Sequence, residues 1–390
     1  MILRRFALPL VILATASTPA RTEESPGLRK LRDVVVYRDD TFYSAFPSIV
    51  RRPDGELIAA FRRAPDPRNF GNAAVTHTDP NSQLVLVRST DAGETWTKDP
   101  ALVWAHPRGG LQDPCLLQLD DDSLLCSSYA WALVPPSRAQ KLKDVTRYGD
   151  FAFLGGTMYR SGDAGQRWSE ISVPPTKGEA NLGLFGQPIP AYNRGAMCQG
   201  KDGRIFWVTA REHPGDKKGT STHLLISSDR GQTWTYSCPV AVDDKVTSNE
   251  TSLYETPRGD LMAFMRTANF DDNTAVARST DGGKSFQQWE SAGWKGHPHY
   301  ALRLPDQRVL LVYGYRHAPF GIRARVLNSE CTDYKDAPET ILRDDGGNVD
   351  LGYPWATMVS EDKALVVYYF NENDGPRYIG GTMVQVDAKK

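Results

Sequence analysis

The chain has 390 residues, 46 Lys plus Arg against 47 Asp plus Glu, and a net charge of −1 at pH 7. That balance argues against a nucleic-acid or polybasic membrane role. The five scattered cysteines are too few for a disulfide framework, and without C-x-x-C or H-E-x-x-H spacing neither a metal site nor a cofactor is expected.

At the N-terminus, Arg4-Arg5 precede an apolar run over residues 6–16, with small residues at Thr18 and Ala20. This pattern predicts a secretory signal peptide over 1–20 and export to the periplasm or the extracellular space. The run is too short to span a bilayer as a permanent helix, and no other segment approaches that length, so no membrane span is expected. Residues 21–32 read as a linker, and 33–390 as one domain.

From there, six acid-rich turns recur at intervals of roughly 50 to 80 residues: Pro53-Asp54-Gly55, Asp120-Asp121-Asp122, Lys201-Asp202-Gly203, Arg258-Gly259-Asp260, Pro305-Asp306-Gln307 and Glu361-Asp362-Lys363. Each leads into a β-rich apolar run such as Leu57-Ile58-Ala59-Ala60-Phe61, Ile205-Phe206-Trp207-Val208 or Leu310-Leu311-Val312-Tyr313. Each therefore reads as a hairpin, and six of them with further strands between predict an all-β, six-bladed β-propeller.

A second repeat runs out of phase with the first. It comprises Ser89-Thr90-Asp91-Ala92-Gly93-Glu94-Thr95-Trp96, Ser161-Gly162-Asp163-Ala164-Gly165-Gln166-Arg167-Trp168, Ser227-Ser228-Asp229-Arg230-Gly231-Gln232-Thr233-Trp234 and Ser279-Thr280-Asp281-Gly282-Gly283-Lys284-Ser285-Phe286. Ser and Asp bond local backbone, Gly supplies positive φ and the aromatic tucks between sheets. These are Asp boxes, S-x-D-x-G-x-x-[WF], with a structural job on outer turns. Blades five and six lack a clear copy, although Leu327-Asn328-Ser329-Glu330 stands where one is expected. Four copies make the chain resemble the sialidase (neuraminidase) superfamily.

Chemistry in a propeller concentrates where the innermost strands converge. The starts of those strands read Ser44-Ala45-Phe46, Gln112-Asp113-Pro114, Asn193-Arg194-Gly195, Asn249-Glu250-Thr251, Gly296-His297-Pro298 and Gly352-Tyr353-Pro354. Asp, Arg, Glu, His and Tyr converging on an axis point to a ligand site, because lone charges there are costly to bury.

The resemblance extends to these residues. The stretch from Ser248 to Glu255, followed by Leu261-Met262-Ala263-Phe264-Met265-Arg266, looks like the sialidase segment whose Glu assists the nucleophile and whose Arg grips the substrate carboxylate. Gly352-Tyr353-Pro354-Trp355-Ala356 resembles the segment holding the tyrosine nucleophile. A phenol with a pKa of about 10 needs a carboxylate as base, and it avoids the repulsion between a carboxylate nucleophile and an anionic sugar. The resemblance thus implies Tyr353 as nucleophile, Glu250 as its base and Asp79 in Thr76-His77-Thr78-Asp79-Pro80-Asn81 as acid, with His77 competing.

Asp113 matches an Asp-Pro that contacts ring substituents, and Arg266 and Arg316 (or Arg323) match carboxylate-binding arginines, a role suited to planar guanidinium. The family's first-blade Arg-Ile-Pro is here Ala45-Phe46-Pro47, so one arginine is missing; Arg194, Arg62, Arg63 and Arg211 are the compensating candidates. His297, His299 and His317 gather on one rim, with His297 as a substrate-binding candidate and the other two read as structural.

The expected function is a secreted retaining exo-glycosidase releasing a terminal acidic sugar, α-linked sialic acid first, from a glycan. The alternatives are a hydrolase or lyase on uronic-acid- or rhamnose-capped glycans, and a non-catalytic carbohydrate-binding propeller. Cys115 and Cys126 lie on facing strands of one predicted hairpin and are close enough to pair, but all five cysteines read best as small buried apolar residues.

Overall fold

The computed structural model describes residues 27–71, 77–139, 145, 147–176, 182–184, 186–212 and 219–387. The expected signal peptide lies outside the described residues. Six sheets follow one another around an axis, five of them built from the inside outward in chain order. Blade one comprises Phe42–Arg51, Leu57–Pro65, Gln83–Ser89 and Ala101–Trp104. Blade two comprises Gly110–Gln118, Leu124–Leu133, Phe151–Ser161 and Ser169–Ile171, with the two-residue strand Arg147–Tyr148 added to Phe151–Ser161. Blade three is Cys198–Gln199, Ile205–Glu212, Thr220–Ser227 and Thr235–Ala241, and blade four is Ser248–Glu255, Leu261–Thr267, Asn273–Ser279 and Glu290–Lys295. Blade five is His299–Arg303, Val309–Tyr315, Gly321–Leu327 and Glu339–Arg343.

Blade six takes its three inner strands, Gly352–Met358, Lys363–Phe370 and Tyr378–Val386, from the end of the chain and its outermost strand, Leu28–Tyr37, from the beginning. The antiparallel register runs from Leu28 opposite Val386 to Tyr37 opposite Ile379 and closes the ring. The strand begins at Leu28, so the expected linker over 21–32 is corrected: its last residues are already ladder.

All six acid-rich turns join an innermost strand to the second strand of its blade. Those second strands are covered on both faces by neighbouring blades, which is why they are continuous apolar runs and not alternating ones. Ile205, Trp207, Val208 and Leu310–Val312 are fully buried, each large side chain contributing about 1.5–3 kcal/mol. The five cysteines are all free thiols; Cys115 faces Ser127 in the ladder and Cys126 faces Leu116.

The four Asp boxes connect third and fourth strands and share one bonding pattern. Each Ser hydroxyl donates to its Asp Oδ1 at 2.8–2.9 Å and accepts from the box Gly N–H at 2.8–3.0 Å. The residue before that Gly is also left-handed, at φ 58° to 71° for Ala92, Ala164, Arg230 and Gly282, a requirement only the fourth copy meets with glycine. In blade five Asn328 takes the serine's place, its Oδ1 accepting the Thr332 N–H at 3.1 Å.

The hydroxyls of Thr95 and Ser285, and the N–H groups beside them, hold the Asp91 and Asp281 carboxyls down at about 2. A carboxyl whose folded pKa is depressed adds stability above the unfolded value of about 3.9, and that contribution fades as pH falls toward 2. Asp281→Asn is therefore expected to lower the thermal midpoint at pH 6 by about 2–4 °C. The gap to the unsubstituted protein should close progressively between about pH 4 and pH 2, as followed by circular dichroism melts.

Candidate active site

Four innermost strands are irregular at the same level. The ladder shifts register between Ala45 and Ser48, Gln112 and Cys115, Ser248 and Thr251, and Gly352 and Trp355. Such bulges re-aim side chains, here Phe46, Asp113, Glu250 and Tyr353. Phe46, Asp113 and Tyr353 adopt φ of 57°, 38° and 53°, conformations that cost a residue with a Cβ and persist only where the surroundings impose them. Each of the three is followed by proline, which has no N–H to lose from the interrupted ladder.

At the hub, Tyr353 Oη donates to Glu250 Oε1 at 2.6 Å. Arg266 Nη1 lies 3.1 Å from Tyr353 Oη and 2.9 Å from Glu250 Oε2. Side chains from blades six and four thus form one closed triangle. Burial alone would push the Glu250 carboxyl up, but Arg266 and the Tyr353 hydroxyl more than offset it and hold Glu250 below its ordinary value, as carboxylate. Burial, with the Glu250 charge, raises the Tyr353 phenol, so it keeps its proton while Glu250 is positioned to receive it.

Arg316 comes from blade five, its Nε donating to the Leu351 carbonyl at 3.1 Å and Nη2 to Tyr369 Oη at 2.9 Å, with the guanidinium 5.1 Å from the Tyr353 ring centre. Tyr353, Arg266 and Arg316 line a cavity of about 240 Å³ with Phe46, His77, Gln112, Asp113, Tyr129 and Trp131, while Glu250 stands behind Tyr353 and Arg266. A larger hollow of about 450 Å³, lined by Cys198, Glu255 and Arg303, opens at the opposite end of the axis. There Arg303 is tied to Tyr254 Oη at 3.1 Å, and no phenol–carboxylate pair is formed among the described residues.

Asp113 stands in the cavity wall with Oδ2 accepting from Tyr129 Oη at 3.0 Å and Oδ1 without a partner. Burial pushes its carboxyl up to about 7, with Glu250 adding and Arg194, Tyr129 and Arg62 opposing. Asp79 does not line the cavity, and its Oδ1 accepts the Asn81 N–H at 2.7 Å within its own loop. His77 does line it, with Nε2 3.7 Å from Asp350 Oδ1.

Among the described residues lining the cavity, no third arginine stands in for the one missing from the first blade. Phe46 fills the position and packs edge-on against Tyr353 and Tyr369, with ring centres 4.7 and 5.0 Å away. Arg194 lies beneath and not inside the cavity: Nη2 donates to the Pro47 carbonyl at 2.9 Å, Nη1 reaches Cys115 Sγ at 3.0 Å, and the guanidinium sits 5.3 and 5.0 Å from the rings of Tyr353 and Trp355. Its expected substrate contact is corrected to a buttress under the tyrosine.

Arg323 is likewise corrected. Buried in blade five, it donates to the carbonyls of Ile322, Arg343 and Pro319 and covers Tyr315. Arg63 lies over Phe42 and reaches Asp39 at 3.3 Å. Arg62 is fully buried above Tyr43, with none of its three guanidinium nitrogens hydrogen-bonded among the described residues. Neither Arg62, Arg63 nor Arg211 lines the cavity.

Among the histidines, His297 and His317 converge on Asp272 at 3.4 and 3.2 Å. Burial lowers His297 to about 4, leaving it neutral at pH 7. His299 turns into the blade to meet Thr274 Oγ1 at 2.9 Å, a structural role. Sequence reasoning missed the carboxylate that organises the blade-six side: Asp350 accepts from Tyr43 Oη (2.8 Å), Tyr369 Oη (3.1 Å) and Arg377 Nε (2.7 Å). No repeat position marks it; only the fold brings these partners together.

With the hub geometry in place, comparison with known proteins is informative. Residues 146–364 match the family model described as a BNR repeat-like domain, more than half of the chain. The chain belongs to this BNR repeat-like family. A crystal structure from Dyadobacter fermentans, titled as a protein of unknown function, is 53% identical over 93% of this chain and 100% of that one, with a TM-score of 0.90. The NanB sialidase of Streptococcus pneumoniae superposes with a TM-score of 0.63 at 13% identity, over 92% of this chain and 70% of that one. The Trypanosoma rangeli sialidase gives 0.63 at 14% identity, over 92% and 60%. At such identities the sialidases share the fold with this chain. No curated protein matches the sequence.

Arg194→Met keeps most of the side-chain volume and removes the bonds beneath the tyrosine. It is expected to lower unfolding free energy by about 2 kcal/mol, read from the midpoint of urea denaturation; a substrate-binding arginine would leave that midpoint unchanged.

Proposed function

We propose that this protein is an exported exo-glycosidase of sialidase type, releasing a terminal acidic sugar from a glycan with retention of configuration. The observation that carries this reading is the Tyr353–Glu250 hydrogen bond of 2.6 Å with Arg266 closing the triangle. Tyr353 Oη attacks the anomeric carbon while its proton passes to Glu250, and the leaving oxygen takes a proton from an acid on the opposite side of the sugar. Arg266 and Arg316, both facing the cavity, hold the sugar carboxylate. A packed lectin surface has no use for a phenol and a carboxylate locked together in this way. Export rests on the N-terminal pattern alone.

A second reading, a hydrolase or lyase acting on a uronic-acid- or rhamnose-capped glycan, is favoured by Phe46, which leaves the cavity with two arginines where the family pattern has three. α-Linked sialic acid remains the first choice of substrate because a tyrosine nucleophile avoids the repulsion that an Asp or Glu nucleophile would meet from the carboxylate on the anomeric carbon.

The purified protein should release 4-methylumbelliferone from its sialoside and not from the matching glucuronide or rhamnoside. Tyr353→Phe should lower kcat by about 10³-fold or more with an unchanged circular dichroism spectrum. Undiminished turnover by that variant would remove the tyrosine from the reaction.

A further inference from the structure

We infer that Asp113, and not the loop residue Asp79, is the acid and base of this site, giving its proton to the leaving oxygen and taking one back from the attacking water. This rests on the glycosidase reading and departs from it at one residue, since the family resemblance gives Asp113 only a contact with ring substituents.

The placement carries the argument. Asp113 shares the cavity wall with Tyr353, Arg266 and Arg316, whereas Asp79 is absent from it. One oxygen of Asp113 is fixed by Tyr129 Oη, and the other is buried without a protein partner. A buried carboxyl oxygen left unmatched carries a desolvation penalty that is removed when a glycosidic oxygen or a water enters. The φ of 38° at Asp113 and the bulge between Gln112 and Cys115 turn the side chain out of the ladder toward the hub.

Asp113 is surrounded by Tyr129 from its own blade, Glu250 from blade four, Tyr353 from blade six, Arg194 from blade three and Arg62 from blade one. Arg266, Arg316 and His77 line the same cavity. The net result is a carboxyl pushed up to about 7, the value at which one group serves as acid and then as base near neutrality.

The atoms balance in two steps. In the first, the bond from the anomeric carbon to the leaving oxygen breaks as the bond to Tyr353 Oη forms; the Asp113 proton goes to the leaving oxygen and the Tyr353 proton to Glu250. In the second, water adds to the anomeric carbon, its proton goes to Asp113, and Tyr353 Oη departs and recovers its proton from Glu250.

The experiment compares Asp113→Asn with the unsubstituted protein on two sialosides, one with a 4-methylumbelliferyl leaving group and one, 3′-sialyllactose, with a sugar leaving group. Departure of the phenolic group needs little protonation. The value of kcat/KM is expected to fall by about 10²–10⁴ on sialyllactose and by less than about tenfold on the aryl sialoside. An equal fall on both would make Asp113 a binding residue and overturn the assignment.

An acid acts protonated, so kcat/KM on sialyllactose should decline above about pH 7, and this limb should vanish in Asp113→Asn. Tyr129→Phe removes the hydroxyl that favours the carboxylate, and should move the limb to higher pH.

A readout independent of turnover is the infrared stretch of a protonated carboxyl, expected to titrate near pH 7 and to be missing in Asp113→Asn. Its absence from the unsubstituted protein would end the assignment whatever the substrate. Failure of the glycosidase reading would show instead as no turnover of either sialoside with the infrared band intact.

Discussion

The ring exists because its two ends are made of one sheet. Leu28–Tyr37 pairs with Tyr378–Val386, so the sixth blade is complete only when both ends of the chain are in place. Everything at the hub inherits that closure. Tyr353 belongs to blade six, yet it bonds to Glu250 in blade four, is flanked by Phe46 from blade one and rests on Arg194 from blade three. Covered edges and doubly buried second strands hold the blades at fixed angles, and side chains from four of them meet with hydrogen-bond accuracy.

Within that frame, burial and charge work against each other in a way that separates the two hub carboxyls. Glu250 is held ionised by Arg266 and the Tyr353 hydroxyl despite its burial. Asp113 is shifted to about 7 because burial outweighs Arg194, Tyr129 and Arg62. Two acids at one hub, one held as carboxylate and one poised near neutrality, form the pattern from which distinct acid and base roles are built. Phe46 adds to it. By occupying an arginine's position with an aromatic ring, it lowers the positive charge of the cavity and lengthens the apolar wall beside Tyr353.

Much of this was legible in the sequence, because propellers repeat and repeats are readable without coordinates. The acid-rich turns located six hairpins, and the Asp boxes located four outer turns. The Glu250, Arg266 and Tyr353 segments pointed to a hub that the structure does assemble. Arginine was harder, since a guanidinium on a long stem reaches in either direction from its Cα: Arg194 and Arg323 begin near the hub in sequence and end beneath it or inside a blade. Asp350 was invisible, because Tyr43 comes from the other end of the chain and Tyr369 and Arg377 reach it only when blade six pleats. One signal was available and unused: X-Pro recurs at the inner-strand starts of blades one, two, five and six, at Phe46, Asp113, His297 and Tyr353. In three of these the residue before proline is the one with positive φ.

The joint between the chain ends has a consequence for synthesis. A polypeptide leaving the ribosome carries Leu28–Tyr37 long before its ladder partner has been translated, and that strand must wait unmatched through the assembly of five blades. Without the last strand of the nascent chain, Leu28–Tyr37 has no ladder to join and the sixth blade is left two strands wide.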